Sequence, residues 1–159
     1  MKYYIKQKVF SFKDQFKIFD EQENLEYQVQ GKFMSFSNKL QFLNAQGDVL
    51  YRAHKKVFSI LPKYFIFNDK NQEIAVIKKF FGFRPKFKIY VRYKELNLQG
   101  DLFAHSFVVE DQDKALATIQ KKYISWGDTY EIEVFSEEDR ELYLFLVIIL
   151  DQVIHEKRH

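Results

Sequence analysis

The chain has 159 residues, of which 47% are hydrophobic, 30% charged and 18% aromatic, with a formal net charge of +3 at pH 7. That is the size of about one domain with a substantial core, and the composition excludes disorder and low-complexity sequence. With no cysteine, disulfides, cysteine-ligated zinc and a thiol nucleophile are excluded, which suits a reducing compartment.

Charge is spread unevenly. Residues 1–94 carry 19 Lys and Arg against 8 Asp and Glu, whereas residues 95–159 carry 6 against 14. Such asymmetry marks either an anion-binding face or two halves that complement each other in the fold. Five Gly and two Pro leave no room for a linker, so the expectation is a single domain over residues 1–159. The opening MKYYIKQKVF alternates lysine with apolar residues and lacks the unbroken apolar run of a signal peptide. A cytoplasmic location is expected, at most peripheral to the inner face of the membrane.

Up to residue 135 the pattern is that of strands. YQVQG, KLQFLN, DVLYRA, KYFIFND, EIAVIKKF, HSFVVED and TYEIEVF are short runs rich in β-branched and aromatic residues. In KFKIYVRY, the polar Lys86, Lys88 and Arg92 alternate with Phe87, Ile89, Val91 and Tyr93. That is the period of two of a strand with one wet face. The intervening NAQGD, NDKNQ and EDQDK have turn compositions. Three segments repeat: KKVFSILPKYFIF from Lys55, KKFFGFRPKFKIY from Lys78 and KKYISWGDTYEIE from Lys121. In each, paired lysines precede a turn former (Pro62, Pro85, Asp128), an aromatic (Tyr64, Phe87, Tyr130) and an isoleucine (Ile66, Ile89, Ile132). Weaker corners fall at Ser11–Asp14, Ser35–Asn38 and Gly100–Asp101. Six corners imply six hairpins and twelve strands.

The C-terminal segment has a different character. Ser136-Glu137-Glu138-Asp139 matches a capping box. The acids then lie at the positive end of a helix dipole, and Lys157 and Arg158 at the negative end. A helix is predicted over about residues 137–156. Every residue from Leu142 to Leu150 is apolar, which covers all directions around a 3.6-residue turn. A helix with no polar face must be buried on all sides. A bilayer span needs roughly 20 apolar residues, more than this interrupted run supplies, so no transmembrane span is predicted.

The remaining enclosure is a barrel. A helix measures about 10–12 Å across, and barrels larger than about eight strands leave a lumen. Six- or seven-residue strands and the apolar helix both rise about 20 Å. The expected fold is mainly β: a closed twelve-stranded antiparallel barrel enclosing a hydrophobic C-terminal helix. Leu142, Leu144, Phe145, Leu146, Ile148 and Ile149 are its expected core.

YQVQGKFMSFSNKLQFLN, KKVFSILPKYFIF, IAVIKK, ATIQKKYISWGDTYEIEV and the closing LFLVIILD resemble the LURP-one-related family in its bacterial form. That family belongs to the Tubby C-terminal-like superfamily, with the phospholipid scramblases. The resemblance runs from about residue 3 to residue 155, and SWGDTYEI with the apolar helix is its most specific part. It implies a Tubby-like twelve-stranded barrel around a central helix. At superfamily level only, it implies phosphoinositide binding, for which no motif matches residue by residue. Scramblases carry a membrane-crossing apolar tail. Here the apolar segment is shorter and ends in HEKRH, so the scramblase-like part of the resemblance does not extend to lipid transport.

The catalytic inventory is thin. Of His54, His105, His155 and His159, only the last two have the i, i+4 spacing of a helical metal site, and they sit at the terminus. No metal and no cofactor are predicted. There is no G-x-S-x-G, phosphate-binding glycine loop or dinucleotide fingerprint. Glu137, Glu138, Asp139 and Glu141 fit helix capping better than acid–base chemistry. Asp151 interrupts the apolar helix and, if buried, needs a partner; the commoner place for such a residue is the wet mouth of the barrel.

Binding is the stronger expectation. Lys86, Lys88 and Arg92 share one face of a strand with Tyr90, Lys78 and Lys79 lie on the preceding strand, and Lys6 and Lys8 extend the basic surface. Such clusters attract anionic lipid head groups at about 1 kcal/mol per charge. Outward lysines also protect strands from edge pairing. Aromatics that alternate inward cannot stack on bases, which argues against nucleic acid. The sequence therefore points to a non-enzymatic binding module that contacts anionic head groups through its basic half. The alternative is a protein-interaction or scaffold domain without a lipid ligand.

Overall fold

The computed structural model describes residues 1–6, 15–31, 39–56, 60–82, 86–124 and 127–154. Among these residues the strands are β1 (Lys2–Lys6), β2 (Gln15–Phe19), β3 (Leu25–Gly31), β4 (Leu40–Asn44), β5 (Val49–Lys56) and β6 (Lys63–Asn68). They continue with β7 (Glu73–Phe80), β8 (Lys86–Val91), β9 (Lys94–Asp101), β10 (Ser106–Asp111), β11 (Lys114–Ile124) and β12 (Gly127–Val134). Each strand pairs antiparallel with its sequence neighbours. The ring closes where β1 meets β12, from Lys2 opposite Glu133 to Lys6 opposite Thr129. This is the twelve-stranded closed antiparallel barrel expected from the sequence.

Alternation assigns the faces. In β6, Tyr64 and Ile66 are buried while Lys63, Phe65 and Phe67 face outward; in β7, Ala75 and Ile77 are buried and Lys78 faces outward. A slip of one residue would turn each of these sets inside out, so the apolar period fixes the register. Three tight turns share one device. The side chains of Asp20, Asn44 and Asn68 each accept the backbone N–H groups two and four residues on, at 2.8–3.1 Å.

The helix α1 (Arg140–Ile154) fills the barrel, with every residue from Leu142 to Asp151 buried. Leu144 is 0% exposed and Ile149 2%. Wall and helix meet through large side chains: Phe42 stacks on Phe145 with ring centroids 5.2 Å apart. The helix begins three residues later than its expected capping box. Phe135 N–H still bonds Leu116 C=O at 2.9 Å, so the chain belongs to the wall until there and needs the next residues to reach the axis. The first intrahelical bond runs from Tyr143 N–H to Asp139 C=O at 3.0 Å, which makes Asp139, not Ser136, the N-cap.

Other corners also moved. Gly100 lies inside β9, and the turn follows at Leu102–His105; Asp128 lies inside β12, so that corner precedes Gly127. The corners at Ser11–Asp14 and Ser35–Asn38, with Pro85, lie outside the described residues. So do Lys157, Arg158, His155 and His159.

Up-and-down order gives the barrel two distinct ends. The helix enters at one end, where five hairpin turns and the β12–α1 link lie, and finishes at the other. The six connections at the entry end hold nine acidic and two basic residues. Acids from both halves of the chain therefore gather at the entry end.

The helix core gives a direct test. Ile148→Asp places an unpaired carboxylate inside the barrel and is expected to abolish soluble folded protein on expression. Leu146→Ala should keep the fold and lower stability by roughly 2–5 kcal/mol in urea unfolding.

Candidate functional site

Two clusters of polar side chains stand out, both at the exit end. The first is on the outer wall. Register places Lys56 opposite Lys63, Lys63 opposite Lys78, and Lys78 opposite Lys88, one lysine on each of four adjacent strands. All four share the outward parity, because Ala53, Ile66, Ile77 and Ile89 on the same strands are buried with the other. At the usual strand spacing the row spans about 14 Å. Like charges directly opposite each other destabilise a sheet. Among the described residues no carboxylate forms an ion pair with any of the four. Ring faces moderate the charge, with Lys78 Nζ 5.2 Å from the Tyr90 centroid and Lys88 Nζ 6.0 Å from that of Phe80. The next outward row toward the barrel waist is His54, Phe65, Val76 and Tyr90, so the lysines border an aromatic band.

The sequence-predicted basic residues divide on this geometry. Lys78 and Lys88 lie in the row, and Lys86 lies one step nearer the rim, opposite Phe80. Lys79 has the opposite parity and points to the axis, where its Nζ donates to Val153 C=O at 3.0 Å. Arg92 leaves the basic face for the far end of the barrel. Strand β8 ends at Val91, and Arg92 and Tyr93, with φ of 46° and 70°, form the two-residue turn of a hairpin at the entry end. There Arg92 pairs with Asp139, the helix N-cap. Tyr93, expected inward by alternation, is fully exposed. The turn carries no Gly or Asn to signal it. Lys6 pairs with Glu23 at 2.9 Å, and Lys8 lies outside the described residues.

The second cluster lies inside the mouth, where the helix ends. Asp151 is only 3% exposed, contrary to the expected wet position, and it has the partner that burial demands. His105, in the β9–β10 connection, brings Nδ1 within hydrogen-bond distance of Asp151 Oδ1, at 2.8 Å. Tyr130 OH is 3.4 Å from the same nitrogen, and its ring lies edge-on to the imidazole. Burial pushes the Asp151 carboxyl above its ordinary range, while the His105 hydrogen bond, the His105 charge and that of Lys121 act in the opposite sense. Sequence reading dismissed His105, since nothing in one dimension places it beside Asp151. The adjacent recess, lined by Ile5, Ile119, Ile148 and Gln152 among others, has room for about 10 Å³, which is about one water molecule.

The repeated hairpins explain the rest of the mouth. Lys55 pairs across the sheet with Tyr64, and Lys121 with Tyr130. In the second copy Lys79, not Lys78, takes that place, opposite Phe87. These three inward lysines stand around the C-terminal end of α1, where the helix dipole is negative. At the entry end, Tyr27 OH donates to Glu141 Oε1 at 3.0 Å; burial and that carboxylate push the phenol well above its usual range. The helix is thus tied to the wall at both ends.

A closed β-barrel wrapped on one apolar helix defines the class of the molecule. The model of the family described as LURP-one-related matches residues 1–151, and the chain belongs to that family. It is 34% identical over 152 residues to the uncharacterised protein YxjI of Bacillus subtilis (strain 168), covering 96% of this chain and 93% of that one. An X-ray structure of a protein from Arabidopsis thaliana superposes with a TM-score of 0.70 at 20% identity, covering 96% of this chain and 90% of that chain. That likeness shows the fold.

The buried pair predicts a pH effect. Folded Asp151 keeps its proton to higher pH than the unfolded chain, whose aspartate titrates near 3.8. Between those values the folded state binds more protons, so this contribution to stability falls as pH rises. Wild type should lose stability relative to Asp151→Asn as pH climbs above about 4, measured by urea unfolding. A constant difference would contradict the assignment.

Proposed function

We propose that this barrel is a non-enzymatic binding module that contacts anionic phospholipid surfaces at the inner face of the membrane. The supporting observation is the row Lys56, Lys63, Lys78 and Lys88, with Lys86 beside it. Four like charges aligned across a sheet cost stability unless something anionic offsets them. A basic surface of this size draws anionic lipid at about 1 kcal/mol per lysine, which is enough for reversible, salt-sensitive attachment. Catalysis is left out of the reading because the recess beside Asp151 and His105 admits about one water molecule. Among the described residues, no helix is long and apolar enough to cross a membrane, so contact would be peripheral. A protein-interaction surface is the second reading, favoured by the aromatic band of His54, Phe65 and Phe67 below the lysines.

Charge reversal separates the two roles of the row. Lys63→Glu inserts an anion between Lys56 and Lys78 and should stabilise the free barrel by roughly 0.2–1 kcal/mol. The double variant Lys63→Glu with Lys88→Glu should weaken co-sedimentation with anionic vesicles at low salt by tenfold or more, as about 1 kcal/mol per charge requires. Equal sedimentation of both proteins, or none with anionic vesicles at low salt, would refute the lipid reading.

A further inference from the structure

The strands β5 to β10 form three consecutive hairpins whose connections all lie at the exit end. Each presents a large apolar side chain to solvent: Ile60 is 97% exposed, Phe81 53% and Phe103 70%. Isolated exposed hydrophobics are ordinary. Here they share one rim, and the outward lysines of β5 to β8 sit directly behind two of them. Lys56 and Lys63 are the terminal pair of the hairpin that carries Ile60. Lys86 faces Phe80, next in the chain to Phe81. Apolar tips in front of a cationic collar match the two layers of a bilayer surface, acyl boundary first and phosphate second.

The opposite end has the contrary chemistry. It too exposes aromatics, Tyr93 and Phe135, but among connections with nine acidic residues against two basic. An anionic surface repels that end. The molecule therefore carries an axial charge polarity that would orient it in the field of an anionic leaflet.

We propose that the barrel docks end-on on an anionic lipid bilayer, with Ile60, Phe81 and Phe103 entering the interface and the lysine collar at head-group level. This rests on the lipid-surface reading above and adds orientation and penetration to it. The barrel axis stands toward the membrane normal, and the acidic end faces away. Binding then has two components. One is electrostatic and is screened by salt. The other is apolar and persists in salt.

The chain contains no cysteine, so Ile60→Cys, Phe103→Cys and Tyr93→Cys each create a single site for a nitrobenzoxadiazole label. Vesicles of equal parts phosphatidylserine and phosphatidylcholine should shift emission to the blue and at least double its intensity at positions 60 and 103. Nitroxide-bearing lipid should quench both, and the label at 93 should stay unchanged. In high salt, the double variant Ile60→Ser with Phe103→Ser should lose the residual sedimentation that wild type keeps. If the protein sediments with vesicles while labels at 60 and 103 do not respond, or 93 responds as they do, end-on docking is overturned and the lipid reading survives. If unlabelled protein does not sediment at all, both fall. A blue shift at 60 that grows with protein concentration without vesicles assigns the rim to a second copy of the chain, and also overturns the proposal.

Discussion

An α-helix without a polar face cannot rest on one sheet. Leu142 through Leu150 present apolar side chains in every direction, and each direction left in water would forgo about 25 cal/mol for every Å² of apolar surface exposed. Only a surrounding wall satisfies all of them at once, and that demand selects a tube wide enough to hold a helix. The barrel's inward aromatics, among them Tyr3, Tyr27, Phe42 and Phe107, take up the space between backbone and helix. That annulus takes up part of the chain's high phenylalanine and tyrosine content, while Phe65, Phe67, Tyr90 and Tyr93 face outward.

Enclosure creates a second problem at the helix termini, where backbone groups lack intrahelical partners. The wall supplies one at the last turn and grips acidic side chains at the first. Arg92 and Tyr27 meet the acids of the first turn, and Lys79 donates to Val153 C=O at the last. Asp151 enters the apolar interior with His105 as a partner. Exposed ion pairs of the Arg92 kind contribute little to stability, but they fix which way the helix sits. The termini thus set the axial position of a core that hydrophobic packing alone would leave free to slide.

Much of this was legible in the sequence and some was not, for physical reasons. The period of two in EIAVIKKF matched β7 residue for residue, and the apolar run announced a buried helix. Strand β9, KELNLQGD, was missed because only Leu96 and Leu98 carry the pattern. The β8–β9 turn was missed because arginine and tyrosine occupy left-handed positions normally held by Asn or Gly. The capping box at Ser136 had the right letters in the wrong place, since its residues were needed to bring the chain from wall to axis. For the site, Lys78, Lys86 and Lys88 emerged on one surface, while Lys79 turned inward and Arg92 fell at the far end. Strand parity and hairpin length, both tertiary facts, divide them. The pairing of Asp151 with His105 spans 46 residues and two elements, beyond the reach of any local pattern.

Charge teaches the same lesson. Read along the chain, the imbalance separates an N-terminal from a C-terminal half. Folded into hairpins, acids from both halves gather in the connections at the entry end and so polarise the barrel along its axis. Both ends surround the same helix, and everything said of them presumes that the helix is inside. Native-state hydrogen exchange tests that most directly. If the wall encloses α1, the amides from Leu144 to Ile149 exchange only through global unfolding, with the same opening free energy as the slowest strands. Exchange of those amides at a clearly lower free energy, while the strands stay protected, would place the helix outside and contradict the account.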